Sequence, residues 1–230
     1  EQTYLNVRVA ENRLYSDHEV LALPNLGRHE HSDEWKLRAK SAARINNYFK
    51  PKISGNVLDL GCGNGWLTNS LAENENLEIV GIDLNRVELQ QAARLFFKPN
   101  LKFVYGDVFS LSLPWSAFDF ITVSAAIQYF KNFKSLIDRL MILLKEKGEL
   151  HIIDSPFYKD SEIKDARLRT QNYYRKLGYG HMANHYFHHS YKELDNWHHE
   201  YLYVQERQGF IKKAFGKKDM PFPWIKITKH

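Results

Sequence analysis

A doubly wound α/β fold built on a mostly parallel, seven-stranded sheet is what this sequence predicts, and three observations carry the prediction. Between residues 56 and 154, short and almost wholly apolar runs alternate with segments of helical spacing. Such runs are too apolar to face water on either side, so the sheet they form is covered by helices on both faces. The first run breaks into a glycine-rich turn, Gly61-Cys62-Gly63-Asn64-Gly65, before helical spacing resumes. The chain ends in a strict apolar–polar alternation, with Ile225 and Ile227 set between Trp224, Lys226 and Thr228, the pattern of a half-buried strand.

The elements follow in order. Residues 33–49 begin acidic and carry Trp35, Ala39 and Ile45 at helical spacing, with Pro51 just beyond as a stop. Strands are predicted over 56–60, 78–83, 101–105, 118–123 and 149–154. The intervening helices cover 66–72, 86–97 and 133–145. After Asp154 the pattern loosens. Ile163, Ala166, Thr170, Tyr173 and Leu177 recur helically and stop at Gly178, a suitable helix terminator. Ser190-Tyr191-Lys192-Glu193 fits a capping box, which predicts a helix reaching Gly209. Strands over 210–215 and 224–228 then form an antiparallel C-terminal hairpin. A single domain results: an N-terminal helical cap (1–50), a core (51–154), an inserted helical lid (155–189), and the last helix with the hairpin (190–230).

Composition narrows the function classes. Hydrophobic residues make up 43% of the 230 and charged residues 26%, as in ordinary globular proteins. No apolar run is long enough for a membrane span, and Glu1-Gln2-Thr3 lacks the layout of a signal peptide. The lone cysteine, Cys62, excludes an internal disulfide framework and fits a reducing compartment. The expected location is cytoplasmic, without a membrane partner. Charge is uneven: residues 155–230 hold 14 Lys+Arg against 8 Asp+Glu, and seven of the eleven histidines. This basic end reads either as a solvated face or as a docking surface for an anionic partner.

The chemistry concentrates at the strand ends. In Asp59-Leu60-Gly61-Cys62-Gly63-Asn64-Gly65, glycine occupies every second position after a strand-terminal acid. Glycines allow a sharp turn and close approach of a ligand, and the following helix start favours a carboxylate or phosphate. A dinucleotide fingerprint needs its third glycine where Trp66 stands, which disfavours a nicotinamide-dependent reductase. No Gly-Lys-Ser/Thr follows, so a phosphate loop is excluded. Asp83 lies 24 residues beyond Asp59, where a carboxylate can accept both hydroxyls of a ribose. Asp107 ends the third strand and can accept from an exocyclic amino group. Singly, each aspartate is equally well read as the cap of the next helix. Together with the glycine loop, they describe a site for an unphosphorylated adenosine with a charged tail.

These residues resemble the motifs of class I S-adenosylmethionine-dependent methyltransferases. The loop at 59–65 is similar to the first motif, Gly81-Ile82-Asp83-Leu84 to the second, Gly106-Asp107-Val108 to the third, and 118–124 to the fourth. The resemblance covers residues 55–154 and, more loosely, the final hairpin. It implies S-adenosylmethionine as cofactor, with S-adenosylhomocysteine as product. It further implies that Gly61 and Gly63 border the methionine part, that Asp83 meets the ribose and Asp107 the adenine, with Cys62, Gly65, Leu84 and Val108 also among the cofactor-binding residues. Asp59 would shape the loop and hold the amino group. Ser124 and Ala125 would lie beside the sulfonium.

The methyl acceptor is less legible. Ser124-Ala125-Ala126-Ile127-Gln128-Tyr129 replaces the Asn/Asp-Pro-Pro-Tyr-like motif of adenine and glutamine N-methyltransferases, and Cys62 is in the wrong loop for cytosine C5 chemistry. The pattern looks closest to enzymes acting on small molecules. The alternatives are an RNA or protein methyltransferase docking through the basic C-terminal half, and a non-catalytic cofactor-binding module. Tyr129, Tyr158 and His185 are the candidates for the acceptor side. His181, His185, His188 and His189 are dense but lack carboxylate or cysteine ligands at useful spacing, so no metal site is assigned. Arg38 or Lys40, on the helix before the first strand, is a candidate for the cofactor carboxylate or a plain surface residue.

Overall fold

The computed structural model describes residues 1–50, 54–205 and 218–230. A seven-stranded sheet has the order β3-β2-β1-β4-β5-β9-β8. Its first five members are β1 (Gly55–Leu60), β2 (Leu77–Asp83), β3 (Leu101–Tyr105), β4 (Phe118–Ser124) and β5 (Leu144–Ile153), all parallel. β9 (Trp224–Thr228) pairs antiparallel with β5 on one side and with β8 (His199–Tyr203) on the other. The strand order reverses between β1 and β4, which opens a crevice at their carboxyl ends.

Helices cover both faces. On one, α3 (Ser32–Phe49), α4 (Trp66–Leu71) and α5 (Arg86–Leu95) bury Ile45, Phe49, Leu71 and Ala92 against Val57, Leu77 and Ile79. On the other, α6 (Phe133–Leu143) buries Leu136, Ile137 and Leu140 against Leu58, Ile121 and Leu150. Val57, Leu58, Ile121 and Leu150 are fully buried. That two-sided burial is what their continuous apolar runs require.

Two short helices precede this core, α1 (Gln2–Ala10) and α2 (Asp17–Ala22). α2 starts in a capping box in which Ser16 Oγ accepts from Glu19 N and the Glu19 carboxylate accepts from Ser16 N. α1 buries only Val7, so its sequence carries almost no periodic signal. Beyond β5, α7 (Asp160–Lys176) crosses the carboxyl edge, and a two-stranded sheet, β6 (Phe157–Tyr158) with β7 (His189–Ser190), closes the insertion on itself. Gly178, at φ +84°, follows α7 as the spacing predicts.

Three predicted helices and one strand change. The helix expected from Ser190 to Gly209 is instead a 3₁₀ turn, Tyr191–Asn196, followed by β8. The capping box does form, with Glu193 accepting from Ser190 N at 2.7 Å. A cap specifies only a helix start, however, and the aromatic run at 199–203 favours an edge strand that gives β9 a backbone partner. The C-terminal hairpin is therefore β8 with β9, and the strand predicted over 210–215 lies outside the described residues. The helix expected over 133–145 stops at Leu143, because Leu144 already pairs with Phe118 and β5 starts five residues earlier than predicted. The helix expected over 86–97 ends at Leu95. Among the described residues, no helix is long and apolar enough to cross a membrane.

Gly65 caps α4 at φ +74°, and a Cβ there would stand 2.7 Å from Ala92 Cβ and 2.8 Å from the Phe103 ring. Gly65→Ala combines a disfavoured φ with overpacking and is expected to cost about 2–3 kcal/mol. A urea-unfolding midpoint that shifts by less than the scatter between replicates would contradict this account.

Candidate active site

Five strand ends and their loops converge on one cavity of about 980 Å³ at the carboxyl edge of the sheet. Its floor is the β1–α4 loop. Gly61 N and Cys62 N both donate to Ile82 O, at 2.8 and 3.2 Å, which folds the loop back onto β2. At Gly61 (φ +74°) a Cβ would lie 2.5 Å from Ala126 Cβ, so only glycine lets the loop pass that closely under the β4 turn.

Each predicted cofactor residue has a definite place. Asp83 accepts from Gly63 N and from Asn85 N, both at 2.7 Å, and so ties the glycine loop to the start of α5. It also faces the cavity. Burial pushes its carboxyl up to about 6 against the pull of those two amides. Asp59 is fully buried, with Thr68 Oγ1 donating to one oxygen at 2.7 Å and Thr122 Oγ1 to the other at 2.8 Å. Asp107 accepts from Phe109 N at 3.0 Å in an Asx turn and stands on the cavity wall with Val108, Leu84 and Ser124. Cys62 also lines the cavity, and burial beside Asp83 and Asp59 pushes its thiol well up, so it stays protonated. Gly63 borders the cavity, whereas Gly65 stands behind the loop against Ala92 and Phe103.

The acceptor-side candidates separate. Tyr129 stands on the cavity wall, its ring edge-on to Tyr4 at 5.5 Å and to Tyr186 at 6.0 Å. Burial raises its phenol, which favours a proton donor over a base. His185 lies at the exposed rim of the same cavity. Tyr158 does not join them: it packs on His188 and lines a smaller recess beside Tyr191 and Phe222. His188 and His189 are buried, with His188 Nε2 at 2.9 Å from Thr170 Oγ1 and His189 Nε2 at 3.2 Å from Ile127 O. His189 ties the insertion to the core, while His188 ties the end of the insertion to α7. His181 bonds Thr3 Oγ1 at 3.3 Å, across to α1.

Several lining residues carried no sequence signal. α1 lies over the mouth, held by Arg8 to Glu88 at 3.3 Å and by Arg86 N to Glu1 at 2.7 Å. Val7 packs on Tyr174 and Met182 from the insertion, so cap and lid meet above the site. Arg38 lines the cavity but is bound to Glu34 at 3.0 Å and stacks on Trp35 at 5.3 Å, while Lys40 turns away to the carbonyl of Lys218. Asp154 and Gln128, from the ends of β5 and β4, complete the wall. Asp154 was legible only as the predicted end of a strand.

Asp83 makes stability depend on pH with a definite sign. Its folded-state pKa, about 6, exceeds the ordinary 3.8, so the folded protein holds this proton more tightly than the unfolded chain does. Its contribution is then greatest below the ordinary value and is lost as pH rises toward 6. The loss amounts to about 2 kcal/mol once water in the open cavity is allowed for. Urea midpoints of the wild type should fall across that window by more than those of Asp83→Asn; parallel curves would refute the assignment.

Comparison with known proteins agrees with this geometry. A family described as "Methyltransferase domain" matches residues 52–209. The trans-aconitate 2-methyltransferase of Deinococcus radiodurans is 34% identical over 97 residues, 42% of this chain and 36% of that protein. Protein arginine N-methyltransferase 1 of Saccharomyces cerevisiae is 26% identical over 144 residues, 56% of this chain and 38% of that protein. The chain spans about half the length, or less, of the curated relatives it matches. Among solved structures, the YcgJ protein of Bacillus subtilis superimposes with a TM-score of 0.62 at 15% identity, covering 84% of this chain and 99% of that one, a likeness of fold. With the family matched across well over half its length and the glycine loop and strand-end aspartates gathered on one cavity, the chain belongs to the class I, Rossmann-like S-adenosylmethionine-dependent methyltransferases.

Proposed function

We propose that this protein transfers a methyl group from S-adenosylmethionine to a small-molecule acceptor held inside the cavity. The observation that carries the reading is partial cover: α1 and the α7 insertion meet over the carboxyl edge of the sheet. The volume of about 980 Å³ is large enough for the cofactor and a second compact ligand together.

The residues present fit the cofactor. Asp83 turns an acceptor carboxylate toward the cavity for the ribose hydroxyls, and the loop residues Gly61, Cys62 and Gly63 line the part of the cavity where the methionine part would lie. Asp107 and Val108 would flank the adenine. Bound there, S-adenosylmethionine supplies an activated methyl group on a sulfonium, and the protein's task is to align the acceptor and exclude water. Tyr4, Tyr129, Tyr174 and Tyr186 wall the space in front of the β4 end and provide apolar surfaces with polar edges. An acceptor in this position is covered by protein on several sides, which suits a small molecule better than a segment of a folded macromolecule.

Calorimetric titration with S-adenosylhomocysteine tests the cofactor half directly. Micromolar binding is expected, with at least a tenfold loss in Asp83→Ala and no comparable binding of NADH. Equal binding by the wild type and Asp83→Ala would remove Asp83 from the site. A preference for NADH would overturn the reading.

A further inference from the structure

Two side-chain oxygens on the cavity wall have no hydrogen-bond partner, Asp154 Oδ1 and Gln128 Oε1, and both residues are more than nine-tenths buried. They stand at neighbouring strand ends, whose turns are joined by the bond from Ala125 N to Ile153 O at 2.9 Å. Both turns are strained: Ala125 and Asp154 have φ of +51° and +53°, left-handed values costly for residues with a Cβ. Gln128 Nε2 donates to Ala125 O at 2.7 Å, which fixes the amide with its oxygen left over. Unpartnered buried acceptors of this kind are costly, so a fold that holds two of them together, on strained backbone, points to a ligand that supplies donors.

The charge of that ligand follows from what surrounds Asp154. A carboxylate offers only acceptors and needs a cation as well as donors. The arginines acting on it have other carboxylate partners, Arg38 on Glu34 and Arg44, through Nη2 alone, on Asp219, and neither hydrogen-bonds Asp154. Arg169, which also lines the cavity, stands at its exposed rim. The walls add tyrosine rings, whose faces attract cations.

We infer that the methyl acceptor is an amine, received as an ammonium by Asp154 and Gln128 and methylated on that nitrogen; the inference rests on the methyl-transfer reading above. Asp154 first accepts one proton from the ammonium, which frees the nitrogen lone pair. That pair forms the new N–C bond to the methyl carbon as the C–S bond breaks, its electron pair staying on sulfur as the neutral thioether. The positive charge passes from sulfonium to the methylated ammonium, and Asp154 returns its proton to water once product leaves. Burial raises the Asp154 carboxyl, against the pull of Arg38 and the Ser41 hydroxyl, and a more basic carboxylate is a better proton acceptor.

The test uses the full chain saturated with S-adenosylhomocysteine and three matched probes: tyramine, 4-ethylphenol and 4-hydroxyphenylacetate. Calorimetry should show tyramine binding at least tenfold more tightly than the other two. Asp154→Asn should weaken tyramine about tenfold or more, and Gln128→Leu several-fold, with S-adenosylhomocysteine affinity within twofold of wild type in both. A preference for the carboxylate or neutral probe, no binding of any probe, or tyramine affinity indifferent to Asp154→Asn overturns the inference. If Asp154→Asn, shown folded by its thermal midpoint, loses S-adenosylhomocysteine instead, Asp154 serves the cofactor's amino group and the inference fails. Should the wild type itself bind no S-adenosylhomocysteine, the methyl-transfer reading fails first and takes this one with it.

Discussion

The site is organised around the buried carboxylate of Asp59, whose two oxygens are held by hydroxyls from different elements. Thr122 donates from β4 and Thr68 from α4, while Asp59 itself ends the central strand β1. A charged group that is 1% exposed is tolerable only when its lone pairs are engaged. The clamp therefore sets where α4 begins relative to β1 and β4, and with it the path of the glycine loop between them. Asp83 repeats the device one strand over, holding Gly63 N and Asn85 N. Two aspartates thus keep the floor of the cavity rigid before any ligand arrives, which is how a binding geometry is preorganised.

The roof is built on a different principle. α1 meets the core through Arg8 on Glu88, and meets the insertion through Tyr173 on Glu11 and through Val7 in a small cluster with Tyr174 and Met182. Contacts of this kind are weaker than the continuous core beneath the sheet. Segments that rest on few buried apolar groups are the ones that open most readily, and an enclosed site needs such a segment for ligands to enter.

Histidines illustrate how a dense local composition misleads. Four of them between residues 181 and 189 invite a common role, yet each has its own. His188 and His189 are structural donors or acceptors beneath the insertion, His181 reaches α1, and His185 alone faces the cavity rim. The capping box at Ser190 is a similar case. It forms as its sequence says, but the chain leaves it after one 3₁₀ turn, because the open edge of β9 offers backbone partners that a continuing helix would leave unpaired.

What the sequence determined by itself was the parallel core and the floor of its cavity. Both are local: strands covered on two faces must be continuously apolar, and a tight loop that a ligand approaches must carry glycines, so each leaves its mark within a few residues. Tertiary structure alone decided the roof and the wall that Gln128 and Asp154 complete. Arg8 and Glu88 lie 80 residues apart, and Gln128 and Asp154 stand in the turns that follow separate strands. No periodicity records that such residues meet, because their meeting is fixed by strand order and by the return of a weakly patterned N-terminal helix over the sheet edge. Whether a buried oxygen finds a partner is likewise a property of the assembled cavity, and that property separates Asp59, which is fully engaged, from Asp154, which is not.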